Sequence, residues 1–195
     1  MFNQNSKLWQ KNKGPFKHWA FFAFCFILLL FFFSSTLNAF SNKLVLYSED
    51  HIISIQSITY FIIHKNSMHL GSNLILFVFL YFFMIKTFKS RFVWMMFFIG
   101  IFTGGLGFLI LTHSSSYLMG ISSGNLSWFF CLILLFPKQE IHFYNFKLQF
   151  SFFAVLIILF HVISFMLDAG NSWQAHLGTI VLLPLFIFYL KQKKS

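Results

Sequence analysis

The chain has very little acid. Four Asp and Glu residues serve all 195 positions, and charged residues of both signs make up only 9% of the sequence. A soluble domain of this length carries roughly a quarter charged residues, because its surface must be solvated. Water is therefore excluded as the main solvent. Cysteine is as scarce: Cys25 and Cys131 both fall in apolar runs, which speaks against a disulfide framework. Internal repeats and low-complexity linkers are lacking too.

What fills the space is hydrophobic, 58% of the chain, with 23% aromatic residues. The 33 phenylalanines are spread along the whole length, which leaves no room for a soluble domain at either end. The net charge of +10 raises nucleic acid as a partner. The basic residues, however, stand between apolar runs instead of on one polar face. A lipid bilayer is the expected partner, and no nucleic acid.

Lys7, Lys11, Lys13 and Lys17 precede a long apolar run from Trp19. No small-residue cleavage site stands out after it, Ala39 being a lone candidate, so the run is read as a retained first span. A spanning helix needs about 20 apolar residues. Six segments are candidates: Trp19–Phe40, Met68–Ile85, Val93–Leu111, Ser122–Phe136, Phe150–Leu167 and Trp173–Leu190. Each must be helical, since lipid offers backbone groups no other partner. Residues 1–18 are then a short basic N-terminus, 19–190 the membrane domain and 191–195 a basic tail.

Lysine and arginine set the orientation. Twelve of the 14 lie at one side: the four N-terminal lysines, Lys86, Lys89, Arg91, Lys138, Lys147, Lys191, Lys193 and Lys194. Lys43 and Lys65 share the other side with Glu49, Asp50 and Asp168. Both termini are expected in the cytoplasm, which agrees with six spans. The short loops and the lysine bias suit a bacterial inner membrane.

The fourth span is short and is stopped by Pro137. At 1.5 Å per residue it reaches about 22 Å, less than the bilayer core of about 30 Å. Its outer end, with Gly120, Ser122, Ser123 and Gly124, should lie sunken beside a wet pocket.

Polar groups inside spans are costly and default to function. His69 and Asn73 stand four residues apart at the outer start of span two, on one helix face. Ser122 and Ser123 open span four, and His176 opens span six. Topology thus brings three outer helix ends to a similar depth. A serine hydroxyl needs a base, and a histidine supplies one. Asn and His side chains can hydrogen-bond a tetrahedral oxyanion. No acid lies inside a span, so a Ser–His dyad is the simplest arrangement; Asp168 is set aside as a catalytic group. His161 and His113 read as a packing residue and a loop residue. Gly100, Gly104, Gly105 and Gly107 on span three read as close-packing sites.

The segment from His64 through His69-Leu70 to Asn73 resembles the rhomboid pattern His-x4-His-Leu-x2-Asn. Ser123-Gly124 resembles the Ser-Gly of the family's Gly-x-Ser-Gly, and Ala175-His176-Leu177-Gly178 the Ala-His-Leu-Gly of its last span. The resemblance implies an all-α, six-helix rhomboid-like bundle and an intramembrane serine endopeptidase acting on transmembrane protein substrates. It implies Ser123 as nucleophile, His176 as general base, and His69 and Asn73 on the oxyanion site beside the Ser123 N–H. His64, Gly124 and Gly178 would be supporting residues, with Gly124 letting span four pack against Gly178. Ile121 stands where the first glycine of that register belongs, with Gly120 one place earlier. A second register, Gly120-Ile121-Ser122, therefore stays open, with Ser122 as nucleophile. The altered motif also leaves open a rhombosortase-like branch that processes C-terminal sorting tails. A non-catalytic rhomboid-like binder of transmembrane helices is a further alternative, although such proteins typically lose the serine or the histidine.

A haem or metal protein is weighed on His64, His69, His161 and His176. Haem wants facing axial ligands and zinc wants three or four tightly placed ones. No acid or cysteine accompanies these histidines at the outer ends, so no cofactor and no metal are expected.

Overall fold

The computed structural model describes residues 18–35, 43–52, 54–135, 140–143, 146–149, 155 and 173–192. The first helix, α1, runs Trp19–Ser35 and is apolar all round, as suits a helix bordered by lipid or protein on every side. A short strand β1, Leu46–Tyr47, leads to the single-turn helix α2, Gln56–Thr59, and a 3₁₀ turn, Tyr60–Ile62. Helix α3 follows at Ser67–Thr87. Its first turn is capped by Asn66, whose side-chain oxygen accepts the His69 N–H at 2.8 Å. That cap satisfies one of the orphan donors of a helix start.

Helix α4, Ser90–Leu111, turns back from α3 through Phe88 and Lys89. Both α3 and α4 are long and apolar enough to cross a membrane. Strand β2, Tyr117–Leu118, precedes helix α5, Ser122–Leu135. The 14 residues of α5 rise about 21 Å, close to the short span expected here. Helix α6, Trp173–Gln192, contains Pro184.

Helix α4 is the spine, packed most extensively against α6 and α5, while α3 packs chiefly on α5. Glycines let the backbones approach. A Cβ on Gly107 of α4 would lie 2.5 Å from the Gly178 Cα of α6. The contact expected between Gly124 and Gly178 is not the one made: Gly124 faces the Phe97 ring of α4, where a Cβ would lie 2.4 Å from Cε2. Deeper in the bundle, rings replace aliphatic packing. Phe77 stacks on Trp128 with centroids 5.1 Å apart, and Phe21 of α1 stacks on Tyr81 of α3 at 4.2 Å. The Trp128 indole donates to the Val93 carbonyl at 2.6 Å, and Ser127 Oγ donates to Met96 at 2.6 Å, tying α5 to α4.

Two features fall outside an all-helical expectation. Strands β1 and β2 pair antiparallel, Leu46 opposite Leu118 and Tyr47 opposite Tyr117. A second antiparallel pair joins β3, Glu140–Phe143, to β4, Phe146–Gln149. Both lie in the connections between long helices, where backbone groups must find partners of their own. The expected fifth span, with His161, lies outside the described residues apart from Val155, as do the flanking segments 1–17 and 193–195.

Candidate active site

Gly120 fixes the geometry of the site. It has φ +97°, in the left-handed region where a Cβ is disfavoured. Its N–H donates to the Tyr60 carbonyl at 3.1 Å, which holds the turn against the 3₁₀ segment. The Tyr60 side chain is fully buried and its hydroxyl donates to the Ile101 carbonyl of α4 at 2.6 Å. A Cβ on Gly120 would lie 2.9 Å from His69 Cε1, 3.0 Å from His69 Nε2 and 3.4 Å from Asn73 Nδ2. His69 and Asn73 therefore converge on the turn just before α5, as their spacing on one helix face requires.

Two residues after Gly120, Ser122 opens α5, and its Oγ lies 3.0 Å from His176 Nε2 on α6. Both side chains are partly buried. The serine that meets the His176 ring is thus Ser122, one residue before the Ser123 of the expected pairing. Ser123 does not meet His176; it is 1% exposed, and its Oγ lies toward the Tyr60 hydroxyl without making a well-formed hydrogen bond among the described residues. It points at α4, where a Cβ on Gly104 would lie 2.3 Å from that Oγ. The reason is helical rotation: successive residues of an α-helix point about 100° apart, so two adjacent serines cannot face one partner.

Asn73 is buried, and its Nδ2 has no partner among the described residues, so its donors remain available at Gly120. On His69, Nδ1 accepts the Lys65 N–H at 3.4 Å. With Nδ1 as acceptor, the neutral ring carries its proton on Nε2, the nitrogen nearest Gly120. The N-terminus of α5 adds its unsatisfied N–H groups and the positive end of its dipole. One small volume therefore meets an Asn amide, a His ring and a helix start, all donors to a negative oxygen.

His64 is buried beside His69, with ring centroids 5.2 Å apart, and neither ring nitrogen makes a well-formed hydrogen bond among the described residues. Burial, then the repulsion it would meet from His69 were both rings protonated, push its pKa down to about 3, against a weaker opposing backbone interaction at Ile62. His64 is a neutral packing partner of His69 at ordinary pH. His113 is exposed in the loop after α4. Among the described residues no three His, Cys, Asp or Glu side chains gather as a metal site.

Asn125, Tyr60 and Thr179 are buried polar residues that the sequence reading passes over. The signal for Asn125 was present: it is an amide inside an apolar run, three residues after Ser122 and on the same helix face.

Together these features define a class: a helical bundle with membrane-length apolar helices that holds a serine hydroxyl against a histidine at one end. The family model described as Rhomboid domain matches residues 54–192, more than half of the chain, and the chain belongs to the rhomboid family. Comparison with curated proteins and with solved structures gives no match.

Proposed function

We propose that this chain is an intramembrane serine endopeptidase whose nucleophile is Ser122 and whose general base is His176. The observation that carries this reading is the 3.0 Å separation of Ser122 Oγ from His176 Nε2. That distance is within the reach a base needs to take a hydroxyl proton. As Ser122 Oγ attacks the scissile carbonyl, its proton passes to Nε2, and the carbonyl oxygen becomes an oxyanion. Asn73 Nδ2, His69 Nε2 and the N–H groups at the start of α5 are the donors for that charge. His176 then returns the proton to the leaving amine. A water, activated by the same ring, hydrolyses the acyl-enzyme. The roles argued earlier for Ser123 pass to Ser122; His69, Asn73 and His176 keep theirs.

The substrate class follows from the setting. A serine at the end of a short helix, among helices of membrane length, suits a peptide bond in or beside a transmembrane segment. The lysine bias favours a site open to the outer face of a bacterial inner membrane, with substrate and bilayer as the partners. No cofactor enters the scheme.

The experiment is cleavage of a fluorescently tagged single-span protein by the full chain in liposomes, with fluorophosphonate labelling in parallel. Ser122→Ala and His176→Ala should each lower the rate at least about a thousandfold and abolish labelling, whereas Ser123→Ala should retain most activity. Wild-type cleavage by Ser122→Ala together with a dead Ser123→Ala would overturn the assignment. A folded wild-type chain that neither cleaves nor labels would instead favour a non-catalytic binder of transmembrane helices.

A further inference from the structure

We propose that Asn125 is a positioning residue of the oxyanion site, which sets Asn73 on α3 at a fixed offset from Ser122 on α5. The inference rests on the catalytic reading above. Asn125 is 0% exposed, and its Nδ2 donates to the backbone carbonyl of Asn73 at 2.9 Å. Ser122 and Asn125 are three residues apart, neighbours on one face of α5. The residue that Asn125 grips is the one whose own amide faces Gly120. One hydrogen bond therefore links the helix carrying the nucleophile to the backbone from which the oxyanion donor projects.

The chemistry leaves Asn125 one orientation. Turning its amide over would set Oδ1 against the Asn73 carbonyl, oxygen to oxygen, so Nδ2 must face α3. Oδ1 is then left buried with no hydrogen-bond partner among the described residues. An unpartnered carbonyl in an apolar helix destabilises the bundle. Hydrogen bonds between membrane helices contribute little on average. As glue alone, Asn125 is a poor device, and a leucine of the same branched shape, though somewhat larger, would carry no orphaned acceptor. As a spacer it has a use, because an oxyanion donor loses its effect when displaced by a fraction of an ångström.

The test is Asn125→Leu in the full chain, with the same tagged single-span protein as substrate. The expected result is a kcat about tenfold lower, a KM within about twofold of wild type, and an unfolding midpoint equal to or above wild type. In an Asn73→Ala background, Asn125→Leu should change kcat by less than about twofold, since the donor it positions is gone. Unchanged kcat in the single variant, or a full tenfold loss that persists without the Asn73 amide, would overturn the proposal. If the leucine variant does not fold, Asn125→Ala is read against Asn73→Ala by the same criterion. These outcomes stand apart from failure of the catalytic reading itself, which an active Ser122→Ala would reveal.

Discussion

His64 shows how burial, helped by a neighbouring histidine, sets the behaviour of a titratable residue near the site. Its ring is neutral in the folded chain because its pKa is held at about 3, while the unfolded chain has an ordinary imidazole near 6.5. The unfolded state therefore binds more protons between these values, and stability rises with pH across the window. The contribution is complete above about pH 6.5 and is lost as pH falls toward about 3, at about 1.4 kcal/mol per pH unit in the steep part. His64→Phe should flatten the acid limb of a midpoint-against-pH curve; an unchanged limb would remove His64 as its cause. Residue identity was legible here only in part. The placement of His69, Asn73 and His176 was readable, since each sits in the first two turns of a helix that an apolar run marks out. Which of Ser122 and Ser123 meets His176 was not, because it turns on one step of helical rotation and on the positive φ of Gly120. Neither leaves a trace in a sequence that offers Gly120-x-Ser122 and Ser123-Gly124 as overlapping registers.

At the scale of elements, α4 determines how close the partners of the site can come. Ser123 presses on Gly104, and Thr179 Oγ1 would lie 3.2 Å from a Cβ there. Gly104→Ala should therefore push α5 outward, lowering the thermal midpoint and reducing cleavage, since Ser122 rides on the same helix turn. Ser123→Gly removes both of the nearest obstructing atoms. The double variant Gly104→Ala with Ser123→Gly should recover most of the lost stability and activity. Additive losses in the double variant would show that the clash is not at Ser123. The long helices among the described residues were readable from their apolar runs. The partners of the glycines were not. Small residues announce that backbones meet, but the helix that arrives is a tertiary fact: Gly107 meets Gly178, while Gly124 receives Phe97.

Across the whole molecule, the family membership and the helical bundle agree with what composition required of a chain so poor in charge. The pairing of β1 with β2 was not legible, because two-residue strands in polar connections carry no periodicity. Ser48 donates its N–H to the Ser116 carbonyl at 3.0 Å, and Ser115 Oγ donates to Glu49 Oε1 at 2.8 Å. The Ser116 N–H returns a bond to Ser48 Oγ across 68 residues of chain. Closing so long a loop for so few bonds is entropically unfavourable, so the ladder should persist only while the helices beneath hold its ends together. Amide hydrogen exchange at Ser48 should then be slow in the wild-type chain. It should accelerate in Gly178→Leu, which wedges α4 from α6, even though the substitution is on α6 and not on the strands. Protection that survives the wedge would mean the ladder forms by local preference alone. Otherwise a single amide at the polar edge of the bundle reports, on the timescale of minutes to hours, whether the apolar interior is assembled.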